Sequence, residues 1–177
     1  MEQPELMEKP DVLQEKVIEA AYDFANTLRS DVDPMLDNYT STKVCRTLTV
    51  AAAKLLESIG HKPIIKVKTR EDGAVYHYYL EDPDLGIAID FSPSAHFEGF
   101  KQGNFVAPEV IMRHFEKPTL VLPLGSLENS IMNDFGTTEI RDRGVTRMDK
   151  GGGASTWDHI HMDKMPDSIR EKLEALR

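Results

Sequence analysis

Two short runs joined by one turn constrain this chain more than any other stretch. A-V-Y-H-Y-Y-L-E at 74–81 and G-I-A-I-D-F at 86–91 both read as strands, with D-P-D-L between them. K-P-I-I-K-V-K-T at 62–69 is a third such run, followed by Asp72-Gly73, a hairpin signal. Together they predict an antiparallel meander. Centring the second turn between Pro83 and Asp84 sets Leu80 opposite Ile87, Tyr78 opposite Ile89 and Tyr76 opposite Phe91. That is an apolar face, since cross-strand partners share a side. The same register puts His77 opposite Asp90 on the other face, beside Val75, Tyr79, Ala88 and Ser92. Opposed Cβ atoms lie about 5 Å apart, which allows an imidazole–carboxylate hydrogen bond. A slip of two residues keeps both on one face but separates them; a slip of one puts an acid into the apolar layer. Taken singly, His77 reads as a half-exposed strand histidine and Asp90 as an acid capping a turn. In a register fixed by six other residues, they read as a pair.

Two helices precede the meander. Pro10 or Asp11 opens the first, which runs to about Arg29 with Leu13, Val17, Ala20, Ala21, Phe24 and Leu28 on one face. Residues 30–41 are rich in turn formers and predict a loop. The second helix starts near Thr42, a good N-cap, and ends at Gly60, with Val44, Leu48, Ala51, Leu55 and Ile59 as its buried stripe. Cys45, the only cysteine, falls in its first turn. Unpaired N–H groups and the positive end of the helix dipole favour an anion there, and a thiolate is one. Lys43 and Arg46 add positive charge nearby. The competing reading is a small buried hydrophobe, the commonest fate of a lone cysteine.

After Asp90 the chain predicts a loop with aromatic anchors that carries His96, then a short helix from Pro108 that carries His114. T-L-V-L-P-L at 119–124 predicts a strand buried on both faces. Residues 125–165 carry weak signals and a K-G-G-G-A-S break at 150–155. W-D-H-I-H-M at 157–162 alternates like a strand, with His159 and His161 on one face. Two such histidines bind a metal only if a third ligand joins them, so a metal-dependent hydrolase is a secondary reading. P-D-S-I-R-E-K-L-E-A-L-R at 166–177 predicts an amphipathic helix with Ile169, Leu173 and Leu176 inward. The expected organisation is an acidic arm at 1–9, a core at 10–124, and an irregular extension at 125–177 within the same domain.

A net charge of −9 argues against a nucleic-acid surface and against docking on an anionic membrane. It is compatible with a basic protein partner or a protein or peptide substrate. One cysteine cannot form an internal disulfide, no apolar run suggests a signal peptide or a membrane span, and a reducing cytoplasmic compartment is expected.

A thiol attacks a carbonyl as its thiolate, so it needs a base or a depressed pKa. A histidine in reach supplies either, and an acid behind the imidazole fixes its tautomer. Cys45, His77 and Asp90 supply these groups, with Asn38 or Tyr39 as candidate side-chain donors to an oxyanion. No cofactor or metal is needed for this chemistry. The cysteine opening a helix, the following G-H-K-P-I-I-K-V, the H-Y-Y-L strand and the A-I-D-F-S-P strand resemble the transglutaminase-like branch of the papain-like thiol fold. The resemblance covers residues 40–95. It implies an α+β fold in which N-terminal helices, the cysteine helix among them, pack on an antiparallel sheet. It also implies Cys45 as nucleophile, His77 as base and Asp90 as orienting acid. Tyr79 stands where that family often has Trp, and Thr42-Lys43-Val44 replaces a Gly- or Trp-rich approach to the cysteine. Peptidases, glutamine deamidases, amide-crosslinking enzymes and inactive protein-binding relatives all share this pattern.

Overall fold

A computed structural model of the chain describes residues 10–36, 44–69, 75–92, 119–124, 139–143 and 160–177. Helices α1 (Pro10–Asp31), α2 (Val44–Ser58) and α3 (Asp167–Glu174) accompany strands β1 (Ile64–Thr69), β2 (Val75–Asp82), β3 (Ile87–Asp90), β4 (Leu120–Pro123) and β5 (Glu139–Arg143). The strands form one sheet in the order β4-β3-β2-β1-β5, with every neighbouring pair antiparallel. The class is therefore α+β. No helix among the described residues is long and apolar enough to cross a membrane.

The expected meander is present, and it has gained a strand on each side. β4 falls within the run that the sequence marks at 119–124. β5 lies in the stretch with weak signals: E-I-R-D-R has four charged residues in five, so hydropathy could not reveal it. Of the strand expected at 157–162, residues 157–159 lie outside the described residues; Ile160 makes an isolated bridge to Leu36, and a 3₁₀ turn follows at Met162–Lys164.

One face of the sheet carries the core. Ile65, Val67, Leu80, Ile87, Ile89, Phe91 and Val121 pack there against Phe24 and Leu28 of α1, Leu48, Leu55 and Leu56 of α2, and Ile169 and Leu173 of α3. The inward face of α3 is thus the expected one. On α1 the buried residues recur from Ala21 through Phe24, Ala25 and Leu28, but Leu13 is 58% exposed. That helix outruns the core at its N-terminal end, so its apolar period continues where nothing among the described residues covers it. The expected single stripe on α2 is too narrow. Its residues from Thr47 to Ala53, together with Leu55 and Leu56, are all buried, which marks an interior helix rather than a surface one. Its small alanines allow that close approach on every side.

Two glycines with positive φ fix the connections. Gly60 (φ 95°) ends α2: its N–H donates to the Glu57 carbonyl and the His61 N–H to the Leu56 carbonyl. This is the left-handed helix stop that an L side chain resists. Gly86 (φ 68°) closes the β2–β3 turn. Asp82 organises the same turn, its Oδ1 accepting from the N–H groups of Asp84 (2.9 Å) and Leu85 (3.2 Å).

That turn corrects the expected register. The strands pair Leu80–Ile89, Glu81–Ala88 and Asp82–Ile87, leaving Pro83 to Gly86 as a four-residue loop. Against the expected Leu80–Ile87 pairing, β3 has slipped by two residues. Sequence centring missed that Gly86 belongs to the loop and that the Asp82 carboxylate, not a tight two-residue turn, shapes it.

Candidate active site

Extending the observed register sets Asp90 against Tyr79 and Ser92 against His77, so His77 and Asp90 are diagonal neighbours rather than opposed. Diagonal positions are about 7–8 Å apart, a gap that longer side chains span. The hydrogen bond forms all the same: His77 Nε2 lies 2.8 Å from Asp90 Oδ2. The other carboxylate oxygen, Oδ1, accepts from the Ser92 N–H at 2.8 Å. Both side chains are 0% exposed. Asp90 lies in β3 and is held by two donors. A buried carboxylate without them would cost several kcal/mol.

The local geometry around His77 has its own cause. Lys68 pairs with His77 while Thr69 pairs with Val75, so Tyr76 is an extra residue in β2. A bulge of this kind re-aims the neighbouring side chain and commonly sits beside functional groups. Because a carboxylate accepts, Nε2 carries the proton in this bond. In the neutral ring Nδ1 is then the basic nitrogen.

His77, Tyr79, Glu81, Ala88, Asp90 and Leu120 are all buried but alternate with the core residues Leu80, Ile87, Ile89 and Val121. They occupy the second face of the sheet, turned away from the helices. It is a polar layer, and Lys66 Nζ lies 3.6 Å from Glu81 Oε2 within it. Burial of this many polar groups is tolerated only where they bond one another. Tyr79, the residue in the expected aromatic place, is fully buried here and beside Asp90.

Cys45 is the second residue of α2, so its backbone is in the first helical turn as expected. Its thiol lies outside the described residues. The next residue gives the bearing of that turn: the Arg46 guanidinium stands 5.8 Å from the centroid of the Tyr78 ring. Tyr78 adjoins His77, so the opening of α2 reaches the level of the histidine along β2. The β2–β3 ladder stops at the Leu80–Ile89 pair, and the portion of β2 holding His77 lies beyond that end. Asn38 and Tyr39, with Thr42 and Lys43, fall outside the described residues, as do His96, His114 and His159.

His161 is described. Its N–H donates to the Met35 carbonyl at 2.8 Å as it enters the 3₁₀ turn, fixing the strap between the end of α1 and the start of α3. Among the described residues no three His, Cys, Asp or Glu side chains cluster as metal ligands.

Sequence reasoning missed a second histidine–carboxylate pair. His61 Nδ1 lies 2.8 Å from Asp82 Oδ2, and Asp82 is 0% exposed. Next to it, Asp84 Oδ2 accepts from the Lys62 N–H at 2.8 Å. These bonds tie the exit of α2 to the β2–β3 turn. The available signal was Asp82 at the head of D-P-D-L and His61 directly after the helix-ending Gly60. Arg29 makes a corresponding tie at the other end of the sheet, its guanidinium donating to the Phe91 carbonyl. The chain's two long helices are thus locked to both ends of β3.

Comparison with protein-family models, curated proteins and solved structures finds no match to this chain.

Proposed function

We propose that the chain is a papain-like, transglutaminase-like thiol enzyme that hydrolyses or transfers the acyl group of an amide. The substrate would be a peptide bond or a glutamine side chain of a protein. The observation that carries the reading is the buried bond between His77 Nε2 and Asp90 Oδ2, which leaves Nδ1 as the basic nitrogen. Support also comes from the place of Cys45 in the first turn of an interior helix whose opening is level with β2 at Tyr78.

In this mechanism His77 Nδ1 takes the thiol proton, and Asp90 stabilises the imidazolium that forms. The Cys45 sulfur attacks the amide carbon, and the oxyanion is held by the Cys45 N–H at the helix start. Asn38 or Tyr39 is the proposed second donor. The imidazolium returns its proton to the leaving nitrogen as the C–N bond breaks, which leaves a thioester. Water, deprotonated by the same imidazole, then attacks the thioester and restores the thiol, releasing an acid. An amine in place of water gives a new amide. The reading requires that Cys45 Sγ meet Nδ1 past the end of the β2–β3 ladder, because His77 faces away from the stripe that α2 covers.

p-Nitrophenyl acetate tests this as an acyl donor. The expected result is a burst of one p-nitrophenolate per chain with an acetyl group on Cys45. The burst is absent in Cys45→Ala and about 10²-fold slower in His77→Gln. Acylation at the rate of a free thiol, unchanged in His77→Gln, overturns the proposal. A binding module that keeps the fold without the chemistry is the second reading. It is favoured by the complete burial of His77 and Asp90, and it predicts that Cys45→Ala leaves function intact.

A further inference from the structure

The sheet ends at β4, and among the described residues no strand pairs with its outer edge. A groove of about 370 Å³ runs between that edge and α1, lined by Glu15, Ile18, Glu19 and Tyr22 and by residues 119–123. Its walls are apolar where Ile18 and Tyr22 lean on the core. Thr119 is fully buried against it, and its hydroxyl meets no hydrogen-bond partner among the described residues. Its rim is acidic: Glu15 and Glu19 are exposed and one helical turn apart, so they present two like charges on one side.

One end of the groove is also apolar at the surface. The Gly86 carbonyl accepts from the Gln14 side chain (3.1 Å) and from the Leu124 N–H (2.9 Å), which draws the first turns of α1 to the end of β4. Val12, Leu13 and Leu124 are the large apolar side chains exposed among the described residues, and all three belong to these two segments. A strand edge unpaired among the described residues, an apolar trough with a buried polar hydroxyl, and an acidic rim therefore coincide.

We propose that this groove docks an extended, basic segment of a partner protein, added as a further strand along the outer edge of β4. Main-chain N–H and C=O groups of β4 hold such a segment, and every second side chain turns into the trough beside α1 while those between turn away. On the inward face an apolar side chain lies over Ile18 and Tyr22, and a Lys or Arg two residues away meets Glu15 and Glu19. Pro123 has no N–H, so pairing is confined to residues 119–122, a span of about 13 Å. The match is to a short linear segment, not to a broad protein face. Docking stands apart from the thiol chemistry, although Leu120 pairs with Asp90 and the docked segment would pass one strand from the His77–Asp90 pair.

The test is fluorescence anisotropy with a labelled octapeptide of sequence Lys-Thr-Val-Thr-Lys-Thr-Val-Thr, which puts its lysines and valines on one face, measured against the whole chain. The same peptide with glutamate for lysine, and the same peptide N-methylated at alternate amides, serve as comparisons. Saturable binding of the first peptide is expected, at least tenfold weaker for the N-methylated peptide and absent for the glutamate peptide. Glu15→Lys/Glu19→Lys, two exposed changes on a helix surface, should weaken it at least tenfold. Absence of saturable binding overturns the proposal. So does binding unchanged by the charge reversal, which would be general attraction to an acidic chain. Equal affinity for the N-methylated peptide overturns strand addition. The alkylation rate of Cys45 should be unchanged in Glu15→Lys/Glu19→Lys, so failure here is distinct from failure of the thiol mechanism.

Discussion

Removing either partner of the His77–Asp90 pair should cost more than the bond itself is worth. His77→Ala takes the imidazole bond from a fully buried Asp90 carboxylate, while the Ser92 N–H still donates to its other oxygen. Breaking a buried pair from one side typically costs about 3–5 kcal/mol, because a charge is stranded away from water. Asp90→Ala strands less, since an imidazole can be buried as a neutral ring. It loses a charge-assisted bond at 2.8 Å and the cap on Ser92, worth about 1.5–3 kcal/mol for the former. The double variant strands no charge, so its cost should fall short of the sum of the two. A coupling energy of about 2–3 kcal/mol is expected. Urea unfolding followed by circular dichroism measures all four species, with equal slopes required for the comparison to stand. Against a total stability of about 5–15 kcal/mol, His77→Ala takes a large share, and His77→Gln keeps a donor to Asp90 if the alanine variant is too weak to measure. Coupling below about 0.5 kcal/mol would refute the reasoning, since two groups 2.8 Å apart in a dry layer cannot be energetically independent.

The same physics yields further expectations. Asp82→Ala removes the acceptor shared by His61, Asp84 and Leu85 and should destabilise by about 2–4 kcal/mol. Asp82→Asn, which keeps an oxygen for the turn, should cost less than half of that, and equal costs in urea unfolding would dismiss the turn account. Phe24→Ala, in the core, should cost about 3–5 kcal/mol, while Leu13→Ser, at a position 58% exposed, should stay within about 0.5 kcal/mol. A large loss for Leu13→Ser would mean that the helix end is covered. Gly60→Ala places a side chain at φ 95° with open space around it, so it should cost about 1–2 kcal/mol through backbone strain alone, read as a shift in the urea midpoint.

Much of the frame was legible in the sequence because periodicity reports burial. Phe24 and Leu28, Leu48 and Leu55, and Ile169 and Leu173 all fall where 3.6-residue spacing puts them. The meander was legible from its turn residues and alternating runs. What escaped follows from interactions that periodicity does not encode. The register turned on the Asp82 carboxylate and on Gly86, side-chain and backbone details of a four-residue loop. β5 escaped because a charged strand at a sheet edge has no apolar alternation to show. The breadth of burial on α2 escaped because Thr47, Thr49 and the alanines do not read as a core face until the helix is placed inside the fold. The pairing of His77 with Asp90 was legible although the register behind it was not. A slip of two residues preserves the face, and two side chains bridged the diagonal that the slip created.

The rate of Cys45 alkylation by iodoacetamide as a function of pH, in the wild type and in His77→Gln, bears most directly on the thiol mechanism. Cys45 is the only thiol, so the reaction reports one group. The account predicts a fast reaction that persists well below the free-cysteine pKa of about 8.5 and is lost in His77→Gln. A slow reaction that follows the pH dependence of a free thiol, and ignores the change at His77, would contradict it.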